Sequence, residues 1–140
     1  MGGLVIDTNV FVSALRSADG ASRAVIRRCL QGHYAPCMSL ALFAEYRDVM
    51  GRDPLFIDSP LTGNERLELF HAFVAVCRLT EIYYLWRPNL RDEADNHVVE
   101  LAVAAGAQVI VTHNRADFVG AELNFPELRI LTPAQLLQEA

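Results

Sequence analysis

Asp7 is the residue that most constrains how this chain can fold, because it directly follows an apolar run, Gly-Leu-Val-Ile at positions 3–6. A short apolar run bounded by polar residues is typical of a buried β-strand. A helix is predicted to begin at Asn9, so the Asp7 carboxylate lies between a strand and a helix. That position is the carboxyl edge of an α/β sheet, where open α/β sheets bind their ligands. Because an unpaired charge is costly there, we expect an arginine, a hydrogen-bond network or a metal ion as its partner.

Strands and helices alternate along the rest of the chain. Further strands are predicted at 34–38, 81–85, 108–112 and 128–131. Helices are predicted at 9–16, 21–31, 40–50, 64–78 and 92–105, with a terminal helix from 133. This alternation predicts the α/β class, with a mostly parallel central sheet covered on both faces by helices. At 140 residues, the chain is expected to form a single domain, 1–140.

The basic residues are all of one kind: the twelve are arginines, and the chain has no lysine. This excludes a Walker-type phosphate-binding loop and a Schiff-base enzyme, because both require a lysine amine. The net charge of −5 and the pI near 5.3 also argue against a broad basic face for nucleic acid. Any nucleic-acid contact must therefore come from local clusters of arginine.

Targeting signals are not recognisable in the sequence. No apolar stretch approaches the roughly 18 residues of a membrane span, and the N-terminus lacks the pattern of a cleavable signal peptide. Cys29, Cys37 and Cys77 form no CxxC pair, so they are expected to be buried, reduced thiols. We therefore expect a cytoplasmic protein without a membrane partner.

Several polar residues are predicted to share the sheet edge with Asp7. Glu45 lies within an apolar helical stretch, and Asp95 lies near the start of a predicted helix. Asn114 and Asp117 follow the strongest predicted strand. Carboxylates that converge at one edge repel one another unless a cation neutralises them. A site made of oxygen atoms suits Mg²⁺ or Mn²⁺ rather than zinc.

Each of these residues also has a purely structural interpretation. Asp7 could serve only as a helix N-cap, Glu45 as a solvated helix residue, and Asp95 as a partner of the helix dipole. His97 and His113 are interpreted as surface or core histidines rather than catalytic ones. The functional hypothesis rests on the order of the acids along the chain, not on any single residue.

The ordered set resembles a known family. It comprises Asp-Thr-Asn at 7–9, Ser39 with Glu45 six residues later, Arg-Asp-Glu-Ala-Asp-Asn at 91–96, and Val-Thr-His-Asn-Arg-Ala-Asp-Phe at 111–118. It is similar to the PIN-domain family, and most similar to the VapC-like toxin components of toxin–antitoxin pairs. The resemblance implies a three-layer α/β/α sandwich and a metal-dependent endoribonuclease that uses Mg²⁺ or Mn²⁺. It also implies an RNA substrate and a protein antitoxin, and we expect a homo-oligomer, most simply a dimer.

The resemblance assigns roles to individual positions. It matches the four acids of the family to Asp7, Glu45, Asp95 and Asp117, with Asp7 and Asp95 as metal ligands. Supporting roles fall to Thr8, Asn9, Thr112 and Asn114. Many members of the family carry an aspartate where Asn114 stands, and an asparagine contributes no charge. The alternative interpretation is therefore a PIN-fold binding or interaction module whose nuclease activity is weak or lost.

Four arginines lie close in sequence to the acids, and we expect them to form an arginine rim around the site: Arg47, Arg87, Arg91 and Arg115. A guanidinium group binds phosphate through two parallel hydrogen bonds, which suits an acidic protein that must contact RNA. The same rim is expected to bind an acidic antitoxin segment that competes with RNA. The alternative is that these are separate surface arginines, each paired with a nearby carboxylate.

Overall fold

The apolar run that precedes Asp7 forms the central strand of a parallel sheet. The computed structural model describes residues 3–82 and 96–139 of the chain. Within these residues, five strands form one sheet in the order β3-β2-β1-β4-β5. They are β1 Gly3–Ile6, β2 Ala35–Met38, β3 Arg78–Leu79, β4 Val109–Val111 and β5 Arg129–Leu131. All neighbouring strands pair in parallel, so the predicted parallel sheet is confirmed.

Helices flank this sheet. They are α1 Thr8–Arg16, α2 Ala21–Leu30, α3 Leu40–Met50, α4 Gly63–Val76, α5 Asn96–Ala105, α6 Val119–Asn124 and α7 Pro133–Gln138. Short 3-10 helices occur at Asp53–Phe56 and Arg115–Phe118. Helix α5 packs against β1, β2 and β4, whereas α1 packs against α2 and α3. The predicted α/β/α sandwich is therefore confirmed. In the two described segments, no helix has both the length and the hydropathy of a membrane span.

The helices begin and end at residues that can satisfy free backbone groups. Ser39 Oγ accepts a hydrogen bond from the backbone N–H of Leu42 at 3.1 Å. Thr62 and Glu65 form a capping box at the start of α4. Gly106 ends α5 with a φ of +67°, in the left-handed region that glycine favours. These boundaries agree with the sequence predictions.

The segment around the end of α4 differs from the sequence predictions where it is described. The helix predicted at 64–78 ends at Val76, and a strand follows at Arg78–Leu79, before the strand predicted at 81–85. The cause is tertiary, because these two residues pair with β2 almost immediately after the helix ends. Positions 81 and 82 belong to no strand. Positions 83–85 lie outside the described residues, as does the predicted helix start at 92.

Aromatic side chains join α1, α3 and α4 in the core. The ring centroid of Phe11 lies 5.4 Å from that of Tyr46, edge-on, and 5.3 Å from that of Phe73. Phe70 stacks on Tyr46 at 6.0 Å. Aromatic pairs of this kind each add about 0.5–1.5 kcal/mol beyond the burial of their area. The cluster therefore holds α3 and α4 against α1.

A buried hydrogen bond connects α3 to the central strand. The hydroxyl of Tyr46, which is fully buried, donates to the carbonyl oxygen of Ile6 at 2.6 Å. Ile6 directly precedes Asp7, and Tyr46 directly follows Glu45. The bond therefore ties together the two backbone segments that carry these acids.

Replacing Tyr46 with phenylalanine should lower the free energy of unfolding by about 1–2 kcal/mol, because the Ile6 carbonyl loses a buried partner. Denaturant unfolding monitored by circular dichroism measures this change. Tyr34→Phe is the matched control, because the Tyr34 hydroxyl only accepts a longer bond, at 3.3 Å, from Arg28. An equal loss in both variants would contradict a special role for the Tyr46 bond.

Candidate functional site

The carboxylate of Asp7 lies at the junction of β1 and α1, where the residue is 5% exposed. Its Oδ1 accepts a hydrogen bond from the backbone N–H of Thr8 at 2.9 Å. Its Oδ2 accepts from Thr112 Oγ1 at 2.9 Å and from Asn9 Nδ2 at 3.4 Å. Thr112 directly follows β4, the neighbour of β1. The order of the strands therefore brings Thr112 to Asp7 at the carboxyl edge of the sheet.

Thr112 is the centre of a small polar network. It is fully buried, and its Oγ1 accepts a hydrogen bond from the backbone N–H of Asn114 at 3.1 Å while donating to Asp7. Asn9 Nδ2 also lies 3.4 Å from Thr112 Oγ1. The residues predicted to support the acids therefore all take part in this network: Thr8, Asn9, Thr112 and Asn114. Asn114 does so through its backbone.

Glu45 is joined to Asp7 through Thr8. The hydroxyl of Thr8 donates to Glu45 Oε1 at 2.7 Å, while its backbone N–H donates to Asp7. We call Asp7 and Glu45, linked in this way, the acid pair. The other oxygen of Glu45, Oε2, lies 2.6 Å from His97 Nε2 of α5. One hydrogen-bonded chain therefore runs from Thr112 through the acid pair to His97.

The two carboxyl groups of the acid pair have opposite pKa shifts. Burial raises the pKa of Asp7 above its ordinary value, and the nearby Glu45 adds to this effect, against the lowering effect of the Thr112 hydrogen bond. The hydrogen bond from His97 holds the pKa of Glu45 below its ordinary value, despite partial burial. Glu45 is thus readily ionised, whereas the charge on Asp7 is costly and would be favoured by a nearby cation.

The donor atoms fit a hard divalent cation, which prefers carboxylate and other oxygen ligands. Within residues 3–82 and 96–139, no group of three His, Cys, Asp or Glu side chains is positioned to hold a metal ion. The described residues therefore supply two carboxylates to the candidate cation site, those of the acid pair. The third predicted acid, Asp95, lies outside the described residues, directly before α5.

Asp117 lies apart from the acid pair in the hydrogen-bond pattern. It belongs to the short helix Arg115–Phe118, is partly exposed, and its backbone N–H donates to the Asn114 carbonyl at 3.0 Å. In the described portion of the chain, Asp117, Asp7 and Glu45 are not part of any group of three His, Cys, Asp or Glu side chains positioned to hold a metal ion. Its role as a fourth acid stays a prediction.

Two members of the predicted arginine rim lie in the described residues. Arg47 is exposed, and its guanidinium carbon lies 5.9 Å from the ring centroid of Phe43. Arg115 Nε donates to the carbonyl oxygen of Ile130 at 2.9 Å, and its Nη2 lies 3.9 Å from Glu122. The other two, Arg87 and Arg91, lie outside the described residues. Phosphate binding by these arginines stays a prediction.

A groove of about 570 Å³ follows α1 away from the acid pair. Thr8 and Asn9 line it in the first turn of the helix, and Arg16 lines it in the last. His113 also lines the groove, and its Nε2 lies 2.9 Å from Ser22 Oγ. Asp58 lines the groove as well, so the groove carries charges of both signs, and Thr8 and Asn9 are the residues that it shares with the network around Asp7.

His97 belongs to the site, although the sequence favours a surface or core role for this residue. Its Nε2 contacts Glu45, 52 positions away in the chain. Nothing in the local pattern indicates this contact, because it depends on the packing of α5 against α3. The signal that the sequence does contain is the position of His97, two residues after Asp95, a candidate acid near the start of a predicted helix.

Residues 3–116 of the chain match the family described as PIN domain. The chain belongs to the PIN-domain family. The matched range includes the acid pair, Asp95 and Asn114, and it ends just before Asp117. The residues expected from the PIN-domain resemblance thus fall mostly within the matched range.

A solved structure with the same fold supports this PIN-domain architecture. One chain in the crystal structure of VapBC2 from Rickettsia felis, bound to a DNA fragment from their promoter, aligns with a TM-score of 0.57. The alignment covers 91% of this chain and 96% of that chain, at 13% sequence identity. At this identity, the similarity shows the fold alone. No curated protein sequence matches the chain.

Neutralising Asp7 as Asp7→Asn should change how stability depends on pH. Burial raises the pKa of Asp7 in the folded protein above 3.8, the ordinary pKa of an aspartate. The wild type should therefore be most stable relative to the variant at a pH below 3.8. It should lose this relative stability as the pH rises through the raised pKa. Urea unfolding of both proteins without metal, between about pH 3 and pH 8, measures the difference. A difference that does not change with pH would contradict the raised pKa.

Proposed function

We propose that this PIN-domain protein is a metal-dependent endoribonuclease that hydrolyses RNA phosphodiester bonds, and that it is the toxin component of a toxin–antitoxin pair. The observation that carries the proposal is the acid pair: Thr8 joins Asp7 and Glu45 at the carboxyl edge of the parallel sheet. Membership of the PIN-domain family supports the nuclease assignment. An RNA substrate also agrees with a cytoplasmic location.

A divalent cation is the proposed partner of the acid pair. Among the described residues, no arginine forms a salt bridge with Asp7, and its hydrogen bonds come from neutral groups. Each carboxylate oxygen can accept about two bonds, so Asp7 Oδ1 and both oxygens of Glu45 retain capacity for a ligand. The cost of ionising buried Asp7 would then be offset by the cation.

In the proposed site, Asp7, Glu45 and Asp95 hold Mg²⁺ or Mn²⁺. When bound, such an ion lowers the pKa of a water molecule and neutralises the non-bridging phosphate oxygens. Thr112 and Thr8 orient the two carboxylates of the acid pair through their hydroxyl groups. Asp117 is proposed as a further acid.

The RNA is proposed to follow the groove along α1, with the scissile phosphate at the acid pair. Thr8 and Asn9 belong to both the groove and the network around Asp7, so a strand lying in the groove would pass next to the acid pair. Because the chain carries a net charge of −5, the phosphate contacts must be local. The arginine rim and Arg16 are the proposed sources of that charge.

The partner proposed for this site is a protein antitoxin whose acidic segment competes with RNA. The single domain 1–140 is proposed to form a homodimer. The chain of similar fold comes from the VapBC2 structure, which supports a toxin–antitoxin assignment. The second candidate function, a PIN-fold binding module, is favoured by one observation. Asn114 contributes its backbone rather than a charge to the network.

Asp7→Asn and Asp95→Asn should each reduce metal-dependent RNA cleavage by about 10²–10³-fold or more, since each removes a ligand of the proposed cation. Glu45→Gln should reduce it by a smaller factor. Cleavage of labelled single-stranded RNA, with and without Mn²⁺, measures these effects. Asp48→Asn is the control, because Asp48 is exposed on the same helix as Glu45 and pairs with Arg52. If a variant cleaves RNA as fast as the wild type, the substituted residue has no role in the mechanism.

Arg91→Ala and Arg115→Ala should each weaken the salt dependence of RNA binding. Each phosphate contact removed should flatten the plot of log binding constant against log salt by about 0.7. The measurement uses the Asp7→Asn background, which binds RNA without cutting it. Arg27→Ala, which removes an exposed arginine of α2, is the control. An unchanged slope in both rim variants would refute the arginine rim.

A further inference from the structure

The contact between His97 and Glu45 is short and partly shielded from water. His97 Nε2 lies 2.6 Å from Glu45 Oε2, which is shorter than the usual N–H···O bond; hydrogen bonds to a charged acceptor are shortened in this direction. The two side chains are 21% and 31% exposed. Because a carboxylate accepts hydrogen bonds, the imidazole donates through Nε2. The contact is therefore part of the site rather than a loose surface ion pair.

Glu45 depends on such a contact more than Asp7 does. Asp7 is held by the backbone N–H of the next residue and by a buried hydroxyl from the neighbouring strand. Glu45 has a longer side chain with more rotatable bonds, and it belongs to α3, which packs against α1 and α5. Its orientation is fixed from both sides, by Thr8 at Oε1 and by His97 at Oε2.

We infer that His97 is a positioning residue, which holds the Glu45 carboxylate against Thr8 and so keeps the acid pair in the arrangement that receives the cation. This inference rests on the proposed function. His97 acts through Glu45 and is not itself assigned to the metal or to RNA. His97 is the second residue of α5, so the packing of this helix against α3 sets the distance between His97 and Glu45.

Two substitutions separate positioning from mere support of the fold. His97→Gln keeps an amide N–H near the position of imidazole Nε2, whereas His97→Leu fills a similar space without a donor. We expect His97→Leu to lower kcat and the affinity for Mn²⁺ by about 10–100-fold, as for other residues that orient metal ligands. KM for RNA should change little. His97→Gln should recover most of the loss, and His71→Leu, an exposed histidine of α4, should match the wild type.

A double-mutant cycle tests whether His97 acts through Glu45. In a Glu45→Gln background, adding His97→Leu should change Mn²⁺ affinity by less than about twofold, because coupled residues are not additive. A full, additive loss would overturn the inference. So would a His97→Leu variant within twofold of wild type, or equal losses in His97→Leu and His97→Gln.

The metal affinities distinguish failure of this inference from failure of the proposed function. If the wild type binds Mn²⁺ but cuts no RNA, the nuclease proposal fails. The loss of Mn²⁺ affinity in His97→Leu and its recovery in His97→Gln then still test the positioning role of His97. If the folded wild type binds no Mn²⁺, both are overturned.

Discussion

Asp7 is a carboxyl group held in a position that excludes most water, and the rest of the site is arranged around it. It sits at the junction of β1 and α1, where the first residue of the helix and the residue after β4 supply its hydrogen bonds. The order of the strands is what puts Thr112 there. The Tyr46 hydroxyl, bonded to the carbonyl of Ile6, fixes α3 to the same point of the sheet and so sets the position of Glu45.

The two members of the acid pair are therefore not equivalent. The pKa of Asp7 is raised by burial and by its acidic neighbour, while the pKa of Glu45 is lowered by the bond from His97. A cation bound next to Asp7 would offset the cost of ionising this buried carboxyl group. The hydrogen bonds to Asp7 come from neutral groups, whereas Glu45 is also held by the imidazole of His97.

Much of this arrangement follows from local sequence, and part of it does not. The position of Asp7, the strand before Thr112 and the caps at Ser39 and Gly106 are set by residues close in the chain, so patterns predict them. The strand at Arg78–Leu79 depends on pairing with β2, and the contact of His97 depends on how α5 packs on α3. No local pattern encodes either. The sequence suggested Asp117 as a fourth acid, and its place in the chemistry stays a prediction.

Isothermal titration of Mn²⁺ into metal-free wild-type protein near neutral pH decides whether the acid pair binds a divalent cation. We expect saturable binding for which Mg²⁺ competes, no binding by the Asp7→Asn variant, and release of protons to the extent that Asp7 is protonated before the metal binds. The absence of binding heat in folded wild-type protein, at any accessible Mn²⁺ concentration and at more than one temperature, would rule out the cation site.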